Sequence, residues 1–502
     1  VVDESKLYKL WKIYNEIPAL EDQTYSIYYI GEEVANAKVK VGFDSNVNVN
    51  ELVYESNASQ NVIIRTNGGK LIINAAADNV HHYGVANVVD IQAIADTSYY
   101  EFGKVLNTVF VKKGHIVVTE TSEVGYVVVT DDGVILDIKN DTPFYALDTV
   151  NNISINDKNG AVMEIEKITT ADITEGSRYI PFVINSVNDL VITADSTKDT
   201  NSASGYVLKM ESGYYVLESD IELIHSNDAK PFSKYVIGDE GSEIHIDLNG
   251  HTIDMTNISI YACDGTKVYL SNGKINSALI SNKGEGTLFV DNKGELYLNN
   301  IDVIEATADY VVSTNGNSVA GSVFEAKNSS FIINASEGVH YAAALKADAD
   351  YKFINCTLSA NTGGITMNGG DLYIDGCTIS SSDAYGPDYD TPEATLSYCQ
   401  KTGTPGFGDG ILISDRKSGY KLNSVTVKNS KFIHEGDKVI GTFGLRIVDC
   451  GADGDNTQAI VTLENLTFSD NLSGRTVTVC GEYSEENWIA PEYECKWIIS
   501  AE

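Results

Sequence analysis

Along most of the chain apolar and polar residues alternate with a period of two, as in NVIIRTNGGKLIINAAADN and NTVFVKKGHIVVTETSEVGYVVVTDDG. Period two predicts strands that bury one face, and the Gly, Asn and Asp clusters between them predict turns. One segment differs. Leu7, Leu10, Trp11, Tyr14 and Ile17 recur at helical spacing behind Asp3, a natural N-cap, so a helix is expected over residues 3–17. In a stack of coils, whose first coil exposes apolar interior and unpaired strand edges, such a helix would serve as a cap.

Beyond about residue 240 a repeat is legible. A strand ends in Asn or Gly and an apolar residue follows two or three positions later, as in IDLNGHTI, VYLSNGKI, LYLNNIDV, VFEAKNSSF, KFINCTL, LYIDGCTI, VTVKNSKF and VTLENLTF. Asn249, Asn272, Asn300, Asn328, Asn355 and Gly376 follow at intervals of 23, 28, 28, 27 and 21 residues. That is about one coil of a parallel β-solenoid, in which each strand pairs with the coils above and below. Asn suits the bend because it tolerates left-handed backbone, and its amides can hydrogen-bond to like amides one coil away. Cys356 and Cys377 take equivalent places on adjacent coils and are expected to be small core residues. A second strand per coil, as in TLFVDNKG, AALKADAD and GILISDRKSG, runs into an Asp or Asn turn. Alternation sends Leu288/Val290, Leu345/Ala347, Ile365/Met367, Ile411/Ile413 and Leu445/Ile447 inward, and Phe289, Lys346, Thr366, Leu412 and Arg446 outward.

The fold class expected is therefore all-β, a right-handed parallel β-helix with a capping helix and a β-rich N-terminal portion. VHHYGVANVVDI and YYEFGKVLNTVFV read as successive coils of that portion. The polar stretch from Asn188 to Ser204 suggests domains at 1–200 and 201–482, with a tail at 483–502.

Charge narrows the partners. Against 71 Asp and Glu stand 35 Lys and Arg, a formal net charge of -36, so no basic surface exists for nucleic acid or anionic lipid. No apolar run is long enough to insert in a membrane. The chain opens on Val1 without a charged-then-apolar leader, the pattern of an exported protein whose signal has been removed, and a monomer outside the cell or on a bacterial surface is expected. Seven cysteines without a C-x-x-C pair give neither a zinc site nor a dense disulfide framework, though Cys480 and Cys495 are placed to clip the tail.

Candidate chemistry gathers near residue 400. The stretch Ser381 to Gly408 lengthens one coil to about twice its usual size and carries Tyr385, Tyr389 and Tyr398 beside Asp383, Asp388, Asp390 and Glu393. Rings that stack on pyranose faces and carboxylates that take hydroxyl hydrogen bonds suit an oligosaccharide or polysaccharide, with a plain cover loop as the alternative. It leads into GDGILISDRKSGY. Asp409, Asp415 and Asp449 are the candidate catalytic carboxylates, and Lys346, Asp348, Asn368, Tyr385, Tyr389, Arg416 and Arg446 the candidate substrate-binding groups. Carboxylates on adjacent coils would stand about 5 Å apart, as a retaining glycosidase needs, and two coils apart about 10 Å, near an inverting one, but Asp409 and Asp415 on one straight strand would be about 20 Å apart. An Asp row that only caps turns is the competing account. No cofactor is required. DCGADGDN, from Asp449 to Asn456, resembles an acidic calcium loop without the downstream glutamate of an EF-hand, so a structural calcium and a simple turn both remain open. His81 and His82 should point to opposite faces of one strand.

The N-G-x-T-I and N-C-T-L endings resemble the right-handed β-helix superfamily of pectate lyases, polygalacturonases and many bacterial surface proteins, over about Gly205 to Cys480. The lyases' arginine and calcium-binding carboxylate cluster has no counterpart here. Among the enzymes of this fold, the β-helix lacto-N-biosidases, with two nearby Asp residues, are similar through Asp409 and Asp415. The resemblance implies a glycoside hydrolase acting on a host or plant glycan; a non-catalytic surface adhesin or glycan-binding stalk is the alternative.

Overall fold

A computed structural model describes residues 25–31, 38–42, 49–56, 61–76, 78–94, 99–157, 165–200, 202–224, 230–279, 286–314, 321–335, 340–345, 348–382, 409–414, 422–436, 444–448, 460–473, 476–479 and 498–501. The chain is nearly all β and its sheets are parallel, compatible with a β-helix-like solenoid. The helix expected at 3–17 falls outside the described residues, as do Cys480 and Cys495. Among the described residues no helix is long and apolar enough to cross a membrane.

Two compact units divide the chain, Val1–Phe182 and Val183–Glu502. The boundary precedes the expected residue 200 because strand Val191–Ala194 pairs antiparallel with Ala203–Lys209 and ties the polar stretch to the second unit.

In the first unit two parallel ladders alternate along the chain. Glu51 pairs with Lys70 and Lys70 with Val88, while Val62 pairs with Val80 and Val80 with Tyr99. The coil is therefore shorter, 18 or 19 residues between partners, which explains why it escapes the Asn-marked repeat. The two stretches read as successive coils are so paired: strand Asn79–Ile94 joins both Tyr99–Glu101 and Lys104–Val111. Leu71, Ile73, Val89, Ile91, Val109 and Val111 fill its core at 0% exposure.

The second unit has three parallel ladders, with one strand of each coil in each. Lys267–Ala278 and Glu295–Glu305 show the plan: their first halves lie in the first ladder and their second halves in the second. The bend between the halves is the predicted Asn row. Asn249, Asn272, Asn300, Asn328, Asn355, Asn429 and Asn465 have φ between 48° and 57°, in the left-handed region. Asn300 Nδ2 donates to Asn272 Oδ1 (3.2 Å), Asn355 Nδ2 to Asn328 Oδ1 (3.3 Å) and Asn465 Nδ2 to Asn429 Oδ1 (2.9 Å). Gly376 takes this place with φ 66°; a Cβ there would stand 2.5 Å from Asn355 Oδ1.

The bend turns the next amide out of the ladder, and the following coil supplies its acceptor. Ile301 N donates to Ser329 Oγ (3.1 Å), Cys356 N to Cys377 Sγ (3.3 Å) and Cys377 N to Ser430 Oγ (3.2 Å). Each acceptor gives its own proton to the carbonyl two residues earlier: Ser329 to Lys327, Cys356 to Ile354, Cys377 to Asp375 and Ser430 to Lys428. Cys356 and Cys377 are thus core residues, both 2% exposed.

The third ladder runs through Ile258–Ala262, Gly286–Val290, Tyr310–Thr314, Tyr341–Leu345, Gly363–Met367, Ile411–Ser414 and Leu445–Val448. Leu288, Val290, Leu345, Ile365, Met367, Ile411, Ile413 and Leu445 are all fully buried, as their alternation predicts. Its outer row was expected to face solvent and does not. Val207, Val236, Tyr261, Phe289, Ser313, Ala344, Thr366, Leu412 and Arg446 align in register, and each is at most 5% exposed. Alternation assigns a side of a sheet; it does not say whether that side is covered.

Candidate functional site

Of the candidate residues, Lys346, Tyr385, Tyr389, Asp415, Arg416 and Asp449 lie outside the described residues, as does the whole DCGADGDN loop. Asp348, Asn368, Asp409 and Arg446 are described.

Asp409 and Arg446 come together, but in the interior. Arg446 Nε and Nη2 donate to Asp409 Oδ2 (2.8 Å) and Oδ1 (3.0 Å), a bidentate pair with 1% and 0% side-chain exposure. Both carboxylate oxygens are committed and shielded, so the pair holds two coils together and offers nothing to a glycan. Asn368, at 1% exposure, is likewise inaccessible.

Asp348 sits in an open setting. The turn from the third ladder to the first brings it beside strand Asp350–Ile354, whose partner strand is Gly370–Asp375, and Asp350 pairs directly with Asp371. The following coil adds Asn423 and Ser424. Asn423 Nδ2 donates to Asp348 Oδ1 (3.2 Å) and Asp371 Oδ2 (3.0 Å), so these oxygens are no farther apart than those two bonds together allow. The Ser424 hydroxyl donates to the other oxygen of Asp371. Asp350 is exposed, and Asp348 and Asp371 are half-buried. Among the described residues no cation stands within ion-pair distance of the three. Partial burial, and then the negative charges of Asp371 and Asp348, raise the Asp350 carboxyl above its ordinary range. The cluster therefore sets a carboxyl disposed to keep a proton beside two further carboxyl groups. Sequence reasoning missed Asp350, Asp371, Asn423 and Ser424. A signal existed, since the copies DYKFINCTL and DLYIDGCTI both open on Asp.

On the same outer face Lys352 meets Glu325 (3.5 Å) and lies 5.8 Å from the centroid of the Tyr373 ring. Farther along the ladder Tyr214, His245, Tyr269 and Tyr297 stack with centroids 4.2, 4.1 and 4.6 Å apart and planes within 11°. Their inner faces are taken up by one another, so this column staples coils, and only the end rings Tyr214 and Tyr297 have a face that the column does not cover.

The first unit has the outline of a nucleophile, base and orienting acid. Thr66 Oγ1 is 2.6 Å from His82 Nε2, and His82 Nδ1 is 2.8 Å from Glu101 Oε2. Glu101 also accepts from Tyr99 OH (2.5 Å) and Gly103 N (2.7 Å). Thr66, His82 and Glu101 are 5%, 0% and 0% exposed, and the Thr66 hydroxyl donates to Val85 O (2.6 Å), so the group is an internal tie. His82 points in and His81 out, as expected. Among the described residues no three His, Cys, Asp or Glu are grouped to hold a metal ion.

No family model matches this sequence, and neither the curated proteins nor the solved structures contain a match.

Proposed function

We propose that the second unit is a right-handed parallel β-helix of the pectin-lyase-like kind and that the protein is an extracellular glycoside hydrolase on a complex host or plant glycan. The observation carrying this reading is the carboxylate group Asp348, Asp350 and Asp371, two of whose members share the amide of Asn423. Asp350, with its raised pKa, serves as general acid. Asp371, on the adjacent coil at about 5 Å, serves as nucleophile or base, the separation of a retaining enzyme. Asp415 and Asp449, outside the described residues, remain candidates to complete the site.

A second reading is a glycan-binding adhesin or stalk. It is favoured by the full engagement of Asp371, whose two oxygens accept from Asn423 and Ser424 as a structural ladder residue would. Screening host and plant glycans for turnover, with Asp350→Asn and Asp371→Asn beside the parent, separates the two. The hydrolase reading expects cleavage that falls by about two or more orders of magnitude in each variant. Binding without turnover would favour the adhesin, and cleavage unchanged in both variants would remove this corner from the chemistry.

A further inference from the structure

We infer that Cys356 and Cys377 are a modification site, the two halves of a disulfide that a small oxidising disulfide installs between consecutive coils. The inference is independent of the proposed glycan chemistry. Both residues follow the bend on adjacent coils, and the strands after them are in register, Thr357 opposite Thr378. Neighbouring parallel strands lie about 4.8 Å apart, inside the roughly 4.4–6.8 Å between Cα atoms that a disulfide spans. Cys356 N already donates to Cys377 Sγ at 3.3 Å.

The neighbouring coils show that sulfur is not needed for the capping role. Ser329 and Ser430 occupy the same column, accept the same kind of amide and donate to the same kind of carbonyl. A hydroxyl suffices, so a side-by-side pair of thiols adds a reactivity that the column does not use. Cys263 makes the contrast. It is buried away from the pair, and burial pushes its thiol up to about 12, which leaves it unreactive.

With oxidised glutathione as the oxidant the reaction balances. The Cys356 thiolate attacks one glutathione sulfur, forms a mixed disulfide and releases one glutathione. The Cys377 thiolate then attacks Cys356 Sγ, forms the Sγ–Sγ bond and releases the second, while the two protons of the protein thiols end on the two glutathiones. At 2% exposure both thiols are shielded once the coils close, so exchange takes place while they are open, during folding.

The full chain is refolded in glutathione disulfide, alkylated, cleaved at Met367 with cyanogen bromide and digested with trypsin. Peptides 353–367 and 368–401 are then separate unless a disulfide joins them. Cys399 shares the second peptide, so Cys377→Ser and Cys399→Ser are run alongside; Ser329 and Ser430 show that the column accepts serine. The expected product is the joined pair, two hydrogens lighter than its reduced parts, retained in Cys399→Ser and absent from Cys377→Ser. Separate, alkylated peptides from the parent, or a link that survives Cys377→Ser, would overturn the inference.

Discussion

Arg446 grips Asp409 with two guanidinium nitrogens across 37 residues of sequence, and neither side chain is more than 1% exposed. A buried pair of this kind is strongly destabilised by losing one member, because the other is left charged and unpaired. Asp409→Leu and Arg446→Leu should each cost about 3–5 kcal/mol in urea unfolding of the second unit. The double variant should cost clearly less than the two losses combined. Strictly additive losses would show that the two charges are not coupled.

Glu218 makes a pH prediction. Burial alone raises its carboxyl to about 7, and its Oε1 has no hydrogen-bond partner among the described residues. The folded state holds this proton more tightly than the unfolded chain, whose value is near 4.5. Stability from this group is therefore fully present below about 4.5, falls as pH rises toward 7 and is lost above it. Glu218→Gln should stabilise the protein above pH 7 by at most about 3 kcal/mol and leave it unchanged at pH 4. A variant effect that is the same at both pH values would contradict the assignment.

Asn328 bends the chain at φ 50° and accepts from Asn355 Nδ2. Asn328→Ala keeps a Cβ in left-handed backbone but removes the amide that bonds to Asn299 and Asn355, and should cost about 1–2 kcal/mol. Asn328→Gly keeps the backbone conformation, as Gly376 does naturally, and should cost less. Chemical unfolding that ranks glycine below alanine would refute this.

Arg178 is surrounded by three tyrosines, with ring centroids of Tyr126, Tyr145 and Tyr179 at 5.7, 5.1 and 4.7 Å, and donates to Tyr179 OH (2.5 Å). It fastens the segment after the last coil of the first unit. Arg178→Ala should destabilise that unit by roughly 1–2 kcal/mol, with Arg178→Lys retaining part of the cation–π attraction. Amide exchange would locate the loss in the first unit; a loss spread equally over both units would count against this role.

Local rules made much of the second unit readable. Period two placed Leu288/Val290 and Ile365/Met367 inward, and the demand for left-handed backbone placed the Asn row. What escaped depends on partners remote in sequence. Asp348 and Asn423 are 75 residues apart, and only the stacking of coils joins them. Arg446 was assigned its side correctly and its environment wrongly, because a strand's own residues do not reveal what covers the sheet. His82 could be turned inward by alternation, but its ties to Thr66 and Glu101 come from the coils on either side.

The column of Ser329, Cys356, Cys377 and Ser430 gives the stack a direction. At Ile301, Cys356 and Cys377 the coil's stray amide is answered by the coil that follows it. Cutting coils away from the C-terminal side strands a buried N–H donor, whereas cutting from the N-terminal side spares only an acceptor lone pair, the smaller loss. Coils should therefore peel more readily from one end than from the other, and a growing stack would lock each coil only when its successor arrives.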